Sequence, residues 1–86
     1  MEIKLYGSAI KDFAFWKKSG NLVVQKKLKQ LFEATLKNPY EGIGKPEALK
    51  YDLSGKWSRR INEEHRMVYS VTEEEIQIFS LKGHYL

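Results

Sequence analysis

With 86 residues the chain has the length of one domain, and a domain this small is expected to bury only about 60 to 65% of its unfolded surface, so partner binding bears on its stability. Fifteen Lys/Arg against eleven Asp/Glu give a formal charge of +4, which favours encounter with a polyanion. The absence of cysteine excludes disulfides, thiol chemistry and any Cys-based metal site, and no apolar run approaches the roughly 18 residues of a membrane span. Met1-Glu2-Ile3-Lys4 lacks the apolar core of a signal peptide, so the expectation is a cytoplasmic protein with no membrane contact.

Residues 2 to 6 alternate polar and apolar, with Ile3 and Leu5 on one face, as a short strand requires. Ser8 offers an N-cap for a first helix in which Ile10, Phe13, Ala14 and Lys17 recur at helical spacing with Trp16 beside them. Ser19-Gly20-Asn21 stops it. A second helix from about Leu22 to Lys37 carries Val24, Leu28, Leu31, Phe32, Thr35 and Leu36 along one face, and the short break predicts an antiparallel helical hairpin. Asn38-Pro39 closes it. Residues 39 to 48 hold two Gly and two Pro, which predicts an ordered loop that is neither helix nor strand, with Leu49 and Leu53 pinning its far end to the core.

From Lys56 the period changes to two. Trp57, Arg59 and Ile61 alternate with Ser58, Arg60 and Asn62; Met67, Tyr69 and Val71 follow; and Asn62-Glu63-Glu64-His65 reads as the turn of an antiparallel hairpin. A last strand, Ile76 to Leu81, follows the acidic turn at 72 to 75 and precedes Lys82-Gly83-His84-Tyr85-Leu86. The fold class is therefore α+β: an N-terminal strand, a helical hairpin, then a three-stranded antiparallel meander in one twisted sheet, with the helices on one face and the other face partly free.

Four kinds of residue can carry chemistry. Glu47 sits in Gly-Lys-Pro-Glu-Ala between Lys45 and Lys50; a loop glutamate is more often a plain surface carboxylate, but here it is also a candidate general base. Arg59, Arg60 and Arg66 are the densest cationic group that strand geometry can organise. Arg60 and Arg66 lie across the predicted hairpin and can share a face; of the three, at least one suits a salt bridge to Glu63 or Glu64, or all serve as phosphate clamps, with Arg59 and Arg60 among the RNA-binding residues beside Lys50. His84 has the ordinary pKa of a proton donor near neutrality, though a histidine near a C-terminus is usually just a surface group. Tyr85 can stack on a base or plug the sheet edge. His65 reads as structural or as orienting Arg66, and two histidines far apart without ligand spacing give no metal site.

Several of these residues also carry a family likeness. Pro39-Tyr40-Glu41-Gly42, Gly44-Lys45-Pro46-Glu47, Leu49-Lys50, Leu53-Ser54-Gly55, Trp57-Ser58-Arg59-Arg60-Ile61, Glu63-Glu64-His65-Arg66, Val68-Tyr69 and the terminal His84-Tyr85 resemble the YoeB (Txe) toxins of type II toxin–antitoxin modules, within the RelE/ParE-like superfamily. The likeness covers almost the whole chain; Leu86, after His-Tyr, departs from the pattern. It implies a microbial-ribonuclease-like fold and a metal-independent, cofactor-free endoribonuclease that cuts messenger RNA in the ribosomal A site. In that reading Glu47, Arg66, His84 and Tyr85 are catalytic, and Lys50 and Arg60 line a basic cleft. It also implies a YefM-like antitoxin as partner, the 70S ribosome and mRNA as targets, operator DNA contacted only through the antitoxin complex, and a homodimer. Two other functions compete: a non-catalytic RNA- or ribosome-binding module, and a gyrase-directed ParE-like toxin that has no need of His84.

Overall fold

The computed structural model describes residues 1–83; His84, Tyr85 and Leu86 lie outside the described residues. Strand β1 (Glu2–Leu5) leads into α1 (Ser8–Ser19) and α2 (Leu22–Lys37), followed by β2 (Glu47–Ala48), a 3-10 turn (Tyr51–Leu53), β3 (Trp57–Arg60), β4 (Arg66–Val71) and β5 (Glu75–Ser80). The strands form one sheet in the order β1-β5-β4-β3-β2. β1 lies parallel to β5, and the other neighbours are antiparallel. The expected α+β plan holds, and among the described residues no helix is long and apolar enough to cross a membrane.

Three local expectations change. Ser8 does not cap α1: Gly7 occupies the N-cap at φ 53°, and the Ser8 hydroxyl donates to the Phe79 carbonyl 3.0 Å away. The buried face of α1 runs through Ala9 and Trp16, with Phe13 packed against the core, while Ile10 is 58% exposed. The rotation has a polar cause. Trp16 Nε1 donates to the Leu81 carbonyl at 2.9 Å and Asp12 Oδ2 accepts the Leu81 amide at 3.0 Å, so α1 docks by hydrogen bonds onto the end of β5. The segment expected to be loop through residue 48 ends in β2, where Glu47 pairs with Ser58 and Ala48 with Trp57. Leu49 N donates to the Lys56 carbonyl at 2.9 Å and extends that pairing. Two residues are too few for an alternating pattern to register.

α2 begins as its sequence predicts: Asn21 Oδ1 accepts the Val24 amide at 3.1 Å, satisfying one of the free N–H groups of the first turn. Val24, Leu28, Leu31 and Thr35 are buried at helical spacing against Met67, Tyr69, Ile76 and Ile78 of the sheet. Helices cover this face. The opposite face, open in that no described helix covers it, carries Glu47, Ser58, Arg60 and Arg66 by the alternation of the strands; Glu47 is exposed there, Arg60 and Arg66 are half-buried, and Ser58 is buried.

Candidate active site

The loop that delivers Glu47 is held by an arginine that sequence reasoning had placed among the RNA-binding residues. Arg59 is fully buried. Its Nη1 donates to the Ile43 carbonyl at 2.9 Å, its Nη2 to the carbonyls of Asn38 and Glu41, and its Nε to the Tyr69 hydroxyl at 3.2 Å. Tyr69 in turn donates to the Pro39 carbonyl at 2.6 Å. Burial pushes the Tyr69 hydroxyl above its ordinary pKa, and the Arg59 guanidinium beside it works in the opposite direction. Five planar donors in a fork suit a loop whose carbonyls have no ladder partner. The structure therefore corrects the expectation for Arg59: the guanidinium fastens residues 38 to 43 from below, on the helix-covered face, and is closed off from any bound RNA.

Gly44 completes the attachment. It sits at φ +83°, and a Cβ there would stand 2.8 Å from Leu31 Cδ2, 3.1 Å from Arg59 Cβ and 3.2 Å from the Arg60 carbonyl. Only glycine allows the backbone to come so close, and its carbonyl accepts the Arg60 amide at 2.6 Å. Pro46 then turns the chain into β2 with Glu47 exposed at the sheet edge.

On the open face the register assembles the other candidates. Glu47 pairs with Ser58, Arg60 lies two residues further along β3 on the same face, and Arg66 stands directly opposite Arg60 on β4. Two strand steps and one interstrand spacing put the Glu47 and Arg60 Cα atoms roughly 8 Å apart, close enough for their side chains to engage one phosphodiester. Arg60 Nε and Ser58 Oγ are shielded from solvent without a hydrogen-bond partner among the described residues. Lys50 caps the 3-10 turn, and an open hollow is lined by Glu47, Lys50, Tyr51 and Asp52. Tyr51 is 90% exposed there; as an aromatic between two charged residues it was visible in the sequence, but no spacing distinguished it from a core tyrosine.

The expectations for His84 and Tyr85 fall outside the described residues. His65 is confirmed in a structural role: its ring packs edge-on to Trp16, with centroids 4.9 Å apart, and its Nδ1 accepts the Gly83 amide at 2.8 Å. The turn beside it is held by Asn62 Oδ1, which accepts the amides of Glu64 and His65 at 2.9 Å each. Among the described residues no group of three or more His, Cys, Asp or Glu is placed to hold a metal ion.

Residues 6–85 match the family described as the YoeB-like toxin of bacterial type II toxin–antitoxin systems. The toxin YoeB of Escherichia coli (strain K12) is 47% identical over 74 residues, 86% of this chain and 87% of that protein. Among solved structures, a YoeB/ParE toxin from Agrobacterium tumefaciens superposes with a TM-score of 0.93 at 34% identity, covering 99% of this chain and 100% of that one. A YoeB–YefM complex from Staphylococcus aureus gives a TM-score of 0.88 at 43% identity, over 96% of this chain and 95% of the matched chain. With the family signature running from the first helix to the candidate site and beyond, the chain belongs to the YoeB family of toxins, in the RelE/ParE superfamily.

Proposed function

We propose that this YoeB-family toxin, a ribosome-dependent mRNA endoribonuclease, carries out its chemistry across the open face of the sheet, with the RNA's own 2'-hydroxyl as nucleophile. The observation that supports the assignment is the register that gathers Glu47, Arg60 and Arg66 on one face, with Lys50 at the rim. Glu47 removes the 2'-hydroxyl proton, and the oxygen attacks phosphorus. Arg66, with Lys50 and Arg60, stabilises the charge of the five-coordinate phosphorane; charge-assisted N–H donors aimed at oxygens that become more negative favour the transition state over the ground state. His84 protonates the departing 5'-oxygen, and Tyr85 positions the nucleotide. The products are a 2',3'-cyclic phosphate and a 5'-hydroxyl. A strand without a 2'-hydroxyl has no nucleophile, so DNA remains intact even when bound. The ribosome's contribution is to hold the strand in line, since alignment is worth about 7 to 11 kcal/mol in favourable model systems.

The partner in this reading is a YefM-like antitoxin whose disordered segment folds over the basic face, and the assembly is a homodimer. Residues 1–86 act as a single toxin domain.

The test adds purified protein to ribosomes programmed with a defined message and maps the 5' ends. Cleavage in the A-site codon that leaves a cyclic phosphate, and is lost in Glu47→Gln, Arg66→Ala and His84→Ala, is the expected result. Intact message in every lane despite tight ribosome binding would overturn the roles and leave a binding module.

A further inference from the structure

Past Glu47 and Lys50 the chain makes a tight turn. The Leu53 amide donates to the Lys50 carbonyl at 3.1 Å, the Ser54 amide to the Tyr51 carbonyl at 3.0 Å and the Lys56 amide to the Leu53 carbonyl at 3.0 Å. Leu49 is buried before the turn and Leu53 half-buried within it, so the turn is anchored on both sides. Tyr51 sits inside it at φ +57°. Among the described residues the one other non-glycine with a positive φ is Lys45, at +49°, and the two bracket Glu47. A bulky residue takes up this left-handed backbone at a cost, because its Cβ crowds the following carbonyl. Such strain persists where the surrounding structure imposes it, and it gathers at ligand sites.

The side chain carried by this strained turn is the most exposed large hydrophobic one among the described residues. Phe15 and Tyr40, which are about half exposed, each lie against a tryptophan, with ring centroids 5.1 Å from Trp16 and 5.0 Å from Trp57. Tyr51 has no side-chain hydrogen bond, ring contact or cation–π contact among the described residues. It lines an open hollow of about 690 Å³ together with Glu47, Lys50 and Asp52. Four chain steps put its Cα at most about 13 Å from that of Glu47. The charges of the hollow sort what can enter. Lys50 favours a phosphate at its own end, while Asp52, the next residue after Tyr51, disfavours one beside the ring. An uncharged planar group is what the ring can hold without opposing Asp52, and in an RNA strand that group is the base.

We propose that Tyr51 is a stacking platform for a base of the substrate strand, that of a nucleotide next to the phosphate engaged by Lys50. The inference rests on the ribonuclease reading and deepens it. Every base has a π-face, so Tyr51 adds hold and alignment without reading the codon.

The test uses programmed ribosomes whose message carries the fluorescent base 2-aminopurine at successive positions of the A-site codon. A 2'-deoxy sugar at the cleavage position removes the nucleophile and keeps this strand intact. The full chain and its Tyr51→Phe and Tyr51→Ala variants are titrated against it, and cleavage of the all-ribose message is measured in parallel. At one codon position the parent and Tyr51→Phe are expected to quench the probe and Tyr51→Ala to leave it bright. Tyr51→Ala lowers kcat/KM for cleavage about five- to a hundredfold, and Tyr51→Phe changes it by no more than about twofold. Equal urea midpoints for the three proteins, expected for an exposed side chain, keep a folding defect out of the comparison. A Tyr51→Ala variant that quenches and cleaves as the parent does overturns the stacking role; if it loses affinity only for a purified YefM-like antitoxin, the ring serves that protein instead. A Tyr51→Phe variant as slow as Tyr51→Ala also overturns it, since the hydroxyl and not the ring face would then matter. A parent that quenches through Tyr51 but never cuts the all-ribose message leaves stacking in place and overturns the ribonuclease reading.

Discussion

On the helix-covered face of the sheet the guanidinium of Arg59 is enclosed by protein, donating to the carbonyls of Asn38, Glu41 and Ile43 and to Tyr69. On the open face Arg60, the next residue, has its amide engaged by Gly44 and its Nε shielded without a hydrogen-bond partner among the described residues. The pleat alone separates them. Two identical cations have opposite surroundings, one holding up the loop that brings Glu47 to the edge and the other on the face proposed to bind phosphate. Local charge density therefore overstates the size of an anion site when every second residue of a strand points inward.

Substituting the pair separates the two roles most sharply. Arg59→Met leaves several loop carbonyls and the Tyr69 hydroxyl without their buried donor, and the expected loss is about 3 to 5 kcal/mol. In a domain of this size that lowers the melting temperature by about 12 °C or more. Arg60→Met is expected to change stability by no more than about 0.5 kcal/mol, while lowering ribosomal cleavage by about a hundredfold. Calorimetry and the cleavage assay on both variants check this. Equal losses of stability in the two would dissolve the distinction between the faces.

A smaller effect tests the loop's close approach to the sheet. Gly44→Ala must bring a Cβ to 2.8 Å from Leu31 Cδ2 at a φ of +83°, while Gly55→Ala meets the backbone penalty at φ +92° with no atom of the described residues within 4 Å. The expected cost is about 2 to 3 kcal/mol at Gly44, where overpacking adds to strain. At Gly55 it is about 1 kcal/mol, from strain alone. Urea denaturation of the two variants gives the difference, and equal midpoints would mean that the loop is free to lift away from Arg59.

Much of this plan is legible in the residues. The helical spacing of Val24, Leu28, Leu31 and Thr35 gives α2 its buried face, and the change to period two at Trp57 marks the hairpin. Arg59 itself stands in phase with Trp57 and Ile61, so alternation alone places it inside; its charge argues the other way. What decides the matter is the set of carbonyls from residues 38 to 43, gathered from 16 to 21 positions away in the chain for Asn38, Glu41 and Ile43, and no local pattern announces such a contact. The same holds for α1, where the partners of Asp12 and Trp16 lie at the far end of the chain. On the open face the strand register brings together Glu47, Arg60 and Arg66, but β2 is too short to show itself before its partner is known.

The smallest expected effect lies at the opposite edge of the sheet, where β1 meets β5 and the ionisable groups are near solvent. Tyr6 donates to Glu75 Oε1, Gln77 Nε2 donates to the same oxygen at 2.9 Å, and Lys4 Nζ lies 3.7 Å from Glu75 Oε2. The Tyr6 hydrogen bond first, then that from Gln77, holds the Glu75 carboxyl below its ordinary pKa. The same bond, with desolvation, holds the Tyr6 hydroxyl above its own. The signs follow from linkage. For Glu75, whose folded pKa is depressed, the stabilisation is present above the ordinary carboxyl pKa of about 4.3 and is lost as pH falls through the lower folded value. For Tyr6, whose folded pKa is raised, it is present below about pH 10 and is lost as pH rises through the higher folded value. Tyr6→Phe should therefore be less stable than the parent across the neutral plateau, with the two stability curves drawing together at both the acid and alkaline ends. Tyr69 ionises in both proteins and leaves their difference unchanged. Denaturation midpoints of parent and variant between about pH 2 and 11 give the comparison. A gap that stayed constant over the whole range would show that Tyr6 acts through packing alone, including its ring contact with Phe79, and that this edge has no electrostatic part in the fold.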